Sequence, residues 1–306
     1  MKHEKNPQAK DSASAQPKAE PHNPGHTSPE AGQPSTQGLA TPAAGGQLET
    51  MDVNAMLLAD EGVGREHMTA RDIAIPRLSI LQALSPVCTK ADPAYIKGAE
   101  VGEIYDNIHS KRWPGEKGLI IIPVTYRSTY LEWRPKKLGG GFIGDRGPDP
   151  VELQTVTRGE KGENILPNGN TLVLTAEYFC IMIDPDTSMP RQVVISMANT
   201  QFKKAKLLNA MISNLVIPRP DGKGTFNPAM FYKSYKFTTV PESNDQGSWF
   251  GWKIEMGEDT LKLAEGLQIY VGSRTFRQQV ASGDVKVADP ESMSNHQPND
   301  IDSETI

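Results

Sequence analysis

The chain has few of the residues and runs on which several protein classes depend. Its two cysteines, Cys88 and Cys180, form no CxxC motif and have no paired histidine. This argues against a disulfide framework and a zinc site and is typical of a reducing cytoplasm. No apolar run approaches the roughly eighteen residues that a membrane helix needs. The beginning of the chain also lacks the hydrophobic stretch of a signal peptide, so we expect a cytoplasmic protein that does not enter a membrane.

Catalytic motifs are missing as well. The sequence contains no GxxxxGK[ST] loop, no GxSxG and no HExxH, and its six histidines are dispersed. The glycines of "GGGFIGDRG" do not lie between a strand and a helix, as a phosphate-binding loop would. Asp184 and Asp186 lie in a proline-containing turn, where aspartate is simply a good turn former. We therefore expect no enzyme, no cofactor and no metal, and a nuclease is a weak alternative.

Aromatic and β-branched residues are absent from one end of the chain. Residues 1–48 contain no Phe, Trp, Tyr, Val or Ile and are rich in Pro, Gly, Ser, Ala and Gln. Such a segment cannot bury enough apolar surface to offset its ordering entropy. At the other end, residues 287–306 hold five acids and no Lys or Arg. We predict a disordered arm over residues 1–50, a single domain over 51–285 and a disordered acidic tail over 286–306.

The middle of the chain is patterned mainly as strands. Strands are predicted at 118–135, 171–184 and 191–197, and two more form a hairpin over 231–255, with an extended segment before them at 72–86. In the first strand Ile120, Ile122, Val124 and Tyr126 are expected to share one face, and Pro123 indicates an edge position or a bulge.

Helices are predicted at 51–61, 199–215 and 258–283. The fold class is therefore mainly β (α+β): an OB-like antiparallel β-barrel with one internal helix, a C-terminal helix and disordered termini. A generic β-sandwich with added helices is the alternative.

Charge and aromatic rings coincide in the central part of the chain. The net charge is −5 overall, but residues 109–240 carry eighteen Lys and Arg against eleven Asp and Glu. Residues 231–255 contain seven aromatic rings interleaved with lysines. Strand alternation assigns Phe250, Trp252, Ile254 and Met256 to the core. The opposite face of the hairpin would present Tyr232, Lys236, Trp249 and Lys253 together.

Exposed rings beside cations are typical of single-strand binding, because bases stack on rings at roughly 1–3 kcal/mol each while lysines follow the phosphates. The alternative is that the rings are ordinary cross-strand pairs. The predicted nucleic-acid-binding residues lie on the first long strand and its following loop, on the internal helix and on the hairpin. They are Tyr126, Tyr130, Arg134, Lys136, Lys137, Lys203, Lys204, Lys206, Tyr232, Lys233, Lys236, Trp249 and Lys253.

Four segments resemble single-stranded-DNA-binding proteins of tailed bacteriophages: "DIAIPRLSILQALSP", "GLIIIPVTYRSTYLEW", "ISMANTQFKKAKLLNAMI" and "YKFTTVPESNDQGSWFGWKIE". The resemblance covers about residues 72–255. It implies an OB-fold core in the host-cell cytoplasm that coats exposed strands in phage replication or recombination. It also implies an acidic C-terminus that contacts replication or recombination proteins, although "NDIDSETI" is less acidic than the usual family tail and ends in Ile. A phage virion or scaffold protein with a β-domain for protein contacts is the alternative, and a homo-oligomer is left open.

Overall fold

The computed structural model describes residues 53–160, 162–245 and 247–289. Within these residues the α-helices are α1 Val53–Ala59, α2 Phe202–Ser213 and α3 Gly266–Ala281. Helix α1 belongs to a first compact unit that ends at Glu61, and the chain from Gly62 onward forms a second. In the part of the chain that the structure describes, no helix combines the length and apolar character needed to cross a membrane.

Long antiparallel strands dominate the second unit. The strands are β1 Ala74–Ile75, β2 Arg77–Ile80, β3 Ile104–Asp106, β4 Arg112–Trp113, β5 Leu119–Trp133, β6 Phe142–Asp145, β7 Thr157–Arg158, β8 Asn164–Ile165, β9 Thr171–Ile183, β10 Pro190–Ala198, β11 Ile217–Pro218, β12 Thr225–Phe226, β13 Lys233–Asn244, β14 Gly247–Asp259 and β15 Lys286–Val287. The main ladder runs in the order β14-β13-β5-β9-β10-β2-β3-β4 and curls into a half-barrel. All its pairings are antiparallel except β10 with β2.

The curl brings the two ends of the ladder together. The Gln82 side chain donates from Nε2 to the Phe250 carbonyl and accepts from the Phe250 N–H, each at 2.9 Å. Thr239 Oγ1 donates to the Gly102 carbonyl at 2.6 Å. The Gln82 amide therefore satisfies both backbone groups of Phe250 at the edge of β14, as a neighbouring strand would.

The concave face holds the larger core. This cluster combines Trp113 of β4 and Trp252 of β14, which only a sheet curled toward this face can bring together. Helix α2 closes the open side, with Ala205 and Leu208 buried in the same cluster. The Tyr178 hydroxyl donates to the Ala205 carbonyl at 2.8 Å, which ties the helix to β9.

The convex face carries a second core under α3. Phe179 and Ile181 of β9 pack there with Ile269 and Phe276 of the helix. The helix covers only part of this face. Further along β9, the side chains on this same face are Glu177, Thr175 and Val173, which lie at the candidate site.

The predicted fold class is confirmed: the protein is mainly β, with a barrel-like antiparallel sheet, an internal helix after the third long strand and a C-terminal helix. Pro123 does mark a bulge, because the pairing of β5 with β9 shifts between Pro123 and Thr125. For the same reason the predicted face is wrong for one residue of this strand, Tyr126. Ile122 and Val124 belong to the convex core, whereas Tyr126 packs against the concave one, since the extra residue reverses the alternation.

One residue of the hairpin, Met256, is more exposed than strand alternation predicts. Met256, expected in the core, is 47% exposed, although it lies opposite the buried Tyr235 in the hairpin.

The arm predicted over residues 1–50 and residues 290–306 of the predicted tail lie outside the described residues. The first residues of that tail are described: Lys286 and Val287 form β15, which pairs in parallel with β1. The predicted domain limits stay a prediction.

Candidate nucleic-acid interface

Two adjoining cavities lie beside the loop that follows β5. The first, of about 570 Å³, is lined by Lys136 and Gly139–Gly141 on one side and by the segment from Ser79 to Val87 on the other. The second, of about 390 Å³, is lined by Trp133 and by residues of β2, β9 and β10 on the convex face. Ser79 and Asn107 line both cavities, so the two are neighbouring parts of one groove. We call it the β5-loop groove.

Three cations lie in the loop that forms one wall of this groove, and one of them, Lys136, lines the groove itself. Arg134, Lys136 and Lys137 are exposed, and none has an ion-pair partner within the described part of the chain. The loop is fixed rather than loose: the Arg134 N–H donates to the Gly141 carbonyl, and the Gly140 N–H to the Pro135 carbonyl. Gly139, Gly140 and Gly141 all have positive φ, which favours glycine and leaves this wall without side chains.

Aromatic surface lies at the foot of the same loop. The half-buried Trp133 ring packs edge-to-face on Phe142 with centroids 5.4 Å apart. Trp133 is at the end of β5, and the loop returns to pair Phe142 with it. The groove thus joins an apolar wall at Trp133 to a loop that carries three cations.

A buried charge network forms the floor next to the groove. Glu177, fully buried, accepts from Arg77 Nη1 at 2.6 Å and from Arg127 Nε at 2.7 Å. Arg127 also pairs with Asp145 at 2.9 Å and lies over the Phe179 ring. Each charge has a partner of opposite sign, as burial demands. The network therefore holds Arg77 and Arg127 in place rather than leaving them as free cations.

The hairpin places a second set of predicted residues against α2. Lys204 Nζ is 2.6 Å from Glu242 Oε1, and Trp249 Nε1 donates to Glu242 Oε2 at 3.0 Å. Burial opposes ionisation of this carboxyl, but the hydrogen bonds from Lys204 and Trp249 outweigh it and lower the pKa of Glu242. Trp249 is half-buried, and Lys204 is neutralised internally.

The remaining lysines of the hairpin and helix divide into paired and unpaired groups. Lys233 pairs with Asp259 at 2.7 Å, and Lys253 pairs with Glu255 at 3.0 Å. Exposed lysines without an ion-pair partner among the described residues are Lys203, Lys206 and Lys236. Strand register does place Lys236, Trp249 and Lys253 on one face of the hairpin, as predicted.

Three predicted tyrosines lie elsewhere. Tyr126 packs on Tyr178 with ring centroids 5.1 Å apart, and Tyr130 lies on the same concave face, opposite Leu174. Tyr232 is in the short 3₁₀ turn Met230–Tyr232 before β13 begins, not on the strand face where alternation placed it. The structure thus separates these rings from the β5-loop groove.

Sequence reasoning missed the groove's other wall. Ser79 and Asn107 come from β2 and from the segment just after β3, and short polar residues there carry no binding signal of their own. Asn107 Oδ1 accepts from the Arg77 N–H at 2.7 Å, which fixes the side chain across the junction of the cavities. Only the pairing of β2 with β10 and β3 brings these residues to the loop after β5.

The aspartates considered for a metal site serve the β9–β10 turn. Asp184 Oδ1 accepts from the Asp186 N–H at 3.0 Å, and Lys111 Nζ lies 2.9 Å from Asp184 Oδ2 and 2.8 Å from Asp186 Oδ2. Asp184 thus stabilises the turn through its hydrogen bond to the backbone, and both aspartates are paired with Lys111.

Comparison with protein families identifies the group. Residues 46–286 match the family described as Pam3 phage gp34-like protein. The chain belongs to this family. The match extends over most of the chain, including the whole β5-loop groove, so the phage origin implied by the sequence resemblance is confirmed. Searches of curated proteins and of solved structures found no match.

Proposed function

We propose that this Pam3 phage gp34-like protein binds single-stranded DNA along the β5-loop groove, without sequence preference and without catalysis. The observation that supports it most is the set of three unpaired cations, Arg134, Lys136 and Lys137, in the loop whose glycine backbone and neighbouring Trp133 wall the groove. Cations that have no internal partner are free to neutralise phosphates.

The geometry suits a single strand with exposed bases. A side-chain-free wall at Gly139–Gly141 lets a backbone or base approach closely. The Trp133 ring offers a stacking surface on the adjoining part of the groove.

The hairpin face is the second part of the proposed interface. Gln82, whose amide bonds Phe250, follows directly after Leu81, which lines the groove. Glu242 joins Trp249 to Lys204 of α2, and the unpaired Lys203 and Lys206 come from the same helix, so we assign all of them to this second part. Since Lys204 and Lys253 are already paired with carboxylates, the unpaired charge on this part comes from Lys203, Lys206 and Lys236.

The test compares two matched charge-removing variants in titrations of labelled oligo(dT). Replacing Arg134, Lys136 and Lys137 with Ala should weaken binding. It should also make the slope of log affinity against log salt concentration shallower by roughly 2, since each phosphate contact on a single strand contributes about 0.7. The control replaces Arg71, Arg219 and Lys262 with Ala, which removes three exposed cations that have carboxylate partners and lie outside the proposed interface. Both variants should keep the wild-type melting temperature to within a few degrees.

The outcomes separate the alternatives. Equal losses in both variants would show that general charge, not the groove, drives binding. Absence of oligo(dT) binding by the wild type at low salt would refute the proposal and favour a virion or scaffold role. Cleavage of the oligonucleotide in Mg²⁺ would favour a nuclease.

A further inference from the structure

We infer that the short strand β15 is a strap that closes the groove system and must leave for a single strand to bind along its full length. The inference rests on the proposed function and concerns the regulation of the same site. It starts from the position of two side chains, Arg77 and Asn107, at which four cavities meet.

The cavities are connected through these two residues. Asn107 lines both parts of the β5-loop groove and also a cavity of about 780 Å³ beside Pro93–Ile96. Arg77 lines the Trp133 part of the groove and a further cavity of about 500 Å³ that contains Arg127. Val287 and Asp289 line both of the outer cavities, so the strap forms the wall between them.

The strap is bound to the same two side chains. Arg77 Nε donates to the Ala288 carbonyl at 2.8 Å, and Asn107 Nδ2 donates to the Asp289 carbonyl at 3.1 Å. A phosphate oxygen is an acceptor of the same kind and bonds guanidinium more strongly than a carbonyl does. The strap's carbonyl oxygens therefore occupy positions that a nucleic-acid backbone could take.

The attachment of the strap is slight. Strand β15 pairs with β1 over two residues only, and one further backbone bond joins the Ala288 N–H to the Ile75 carbonyl at 3.0 Å. Val287 is half-buried at the edge of the convex core, and of the strap's residues Ala288 is buried. Short pairings of this kind are where local opening costs least. Release would unite the outer cavities with the groove from Lys136 to Arg127.

The experiment compares two truncated chains and one locked chain in oligo(dT) titrations. Truncation after Asp289 keeps the strap, and truncation after Asp284 removes it. If the strap is closed about nine-tenths of the time, its removal should tighten apparent binding about tenfold, because tight binding along the full length is confined to the open fraction. The locked chain carries Ala74→Cys and Lys286→Cys, which are exposed register partners, on a Cys88→Ser background. It should bind weakly when oxidised and recover on reduction.

Each result decides between the two proposals. If the truncated and locked chains all bind like the wild type, the strap inference is wrong while single-strand binding stands. If even the strapless chain fails to bind, the proposed function itself is wrong. Should truncation after Asp284 unfold the protein, the oxidised and reduced forms of the locked full chain give the answer. In hydrogen exchange, oligo(dT) should speed exchange of the Ala288 amide; unchanged protection would overturn the inference.

Discussion

Two tryptophans of one strand offer the sharpest test of the structure. Trp252 is 3% exposed, packs edge-to-face on Phe237 at 5.5 Å and belongs to the concave core. Trp249, three residues earlier, is half-buried and bonded through its indole to Glu242. The two substitutions to Ala therefore remove the same side chain from the same strand at two different depths.

The expected effects differ in kind. Trp252→Ala should cost about 3–5 kcal/mol of unfolding free energy, since it leaves a cavity that a sheet tied to α2 cannot collapse. At about 2–4 °C per kcal/mol for a domain of this size, its melting temperature should fall by roughly 6–20 °C. Trp249→Ala loses one net hydrogen bond, at about 0.5–1.5 kcal/mol. It should instead weaken oligo(dT) binding by about 1–3 kcal/mol through lost stacking.

Thermal melts and oligo(dT) titrations of both variants, at a temperature where each is folded, decide the matter. If Trp249→Ala destabilises the protein as much as Trp252→Ala, the assignment of the two faces is wrong. If Trp249→Ala is stable and binds like the wild type, the Trp249 ring makes only packing contacts within the protein, and the interface is confined to the β5-loop groove.

Three further predictions concern charge. Wild-type affinity for oligo(dT) should fall steeply between low and moderate salt, as counterion release requires; a slope near zero in a salt titration would remove the electrostatic argument. Deleting residues 290–306, which contain four acids and no Lys or Arg, should tighten binding or leave it unchanged; several-fold weaker binding by the folded, truncated chain would contradict this. Because the pKa of Glu242 is lowered from 4.5, its contribution to stability is complete above that pH and lost as pH falls through the folded-state pKa. Between pH 5 and 3 the urea midpoint of unfolding should therefore depend less on pH in the Glu242→Gln variant than in the wild type. Parallel curves for the two proteins would show that the hydrogen bonds of Glu242 do not stabilise the fold.

Much of the fold could be predicted because its signals are local. Alternation and turn residues located β5, β9, β10 and the β13–β14 hairpin, and helical spacing located α2. The face assignment in β5 failed for Tyr126, because the extra residue at the bulge between Pro123 and Thr125 reverses the face of every later side chain. Pro123 announced an irregularity, but neither its position in the ladder nor its consequence for Tyr126 could be derived from the strand alone.

The site was less predictable, because it depends on pairings between distant segments. The cations of the β5 loop were predicted from their density in the sequence. Their groove was not, since its second wall comes from β2 and the segment after β3, about thirty to sixty residues earlier in the chain, and no local pattern encodes that contact. Arg77 and Asn107 were missed for the same reason.

Which cations are available is decided by the folded protein's own carboxylates. The sequence places lysines on the hairpin and on α2 as densely as on the β5 loop, so charge density alone makes these surfaces equivalent. In the structure, Glu242, Glu255 and Asp259 each hold a lysine of the hairpin or helix, whereas the described residues supply no such partner for Arg134, Lys136 or Lys137. A paired lysine must break a contact before it can neutralise a phosphate, and an unpaired one need not. For that reason the loop and its groove, rather than the aromatic hairpin, are where binding energy should concentrate.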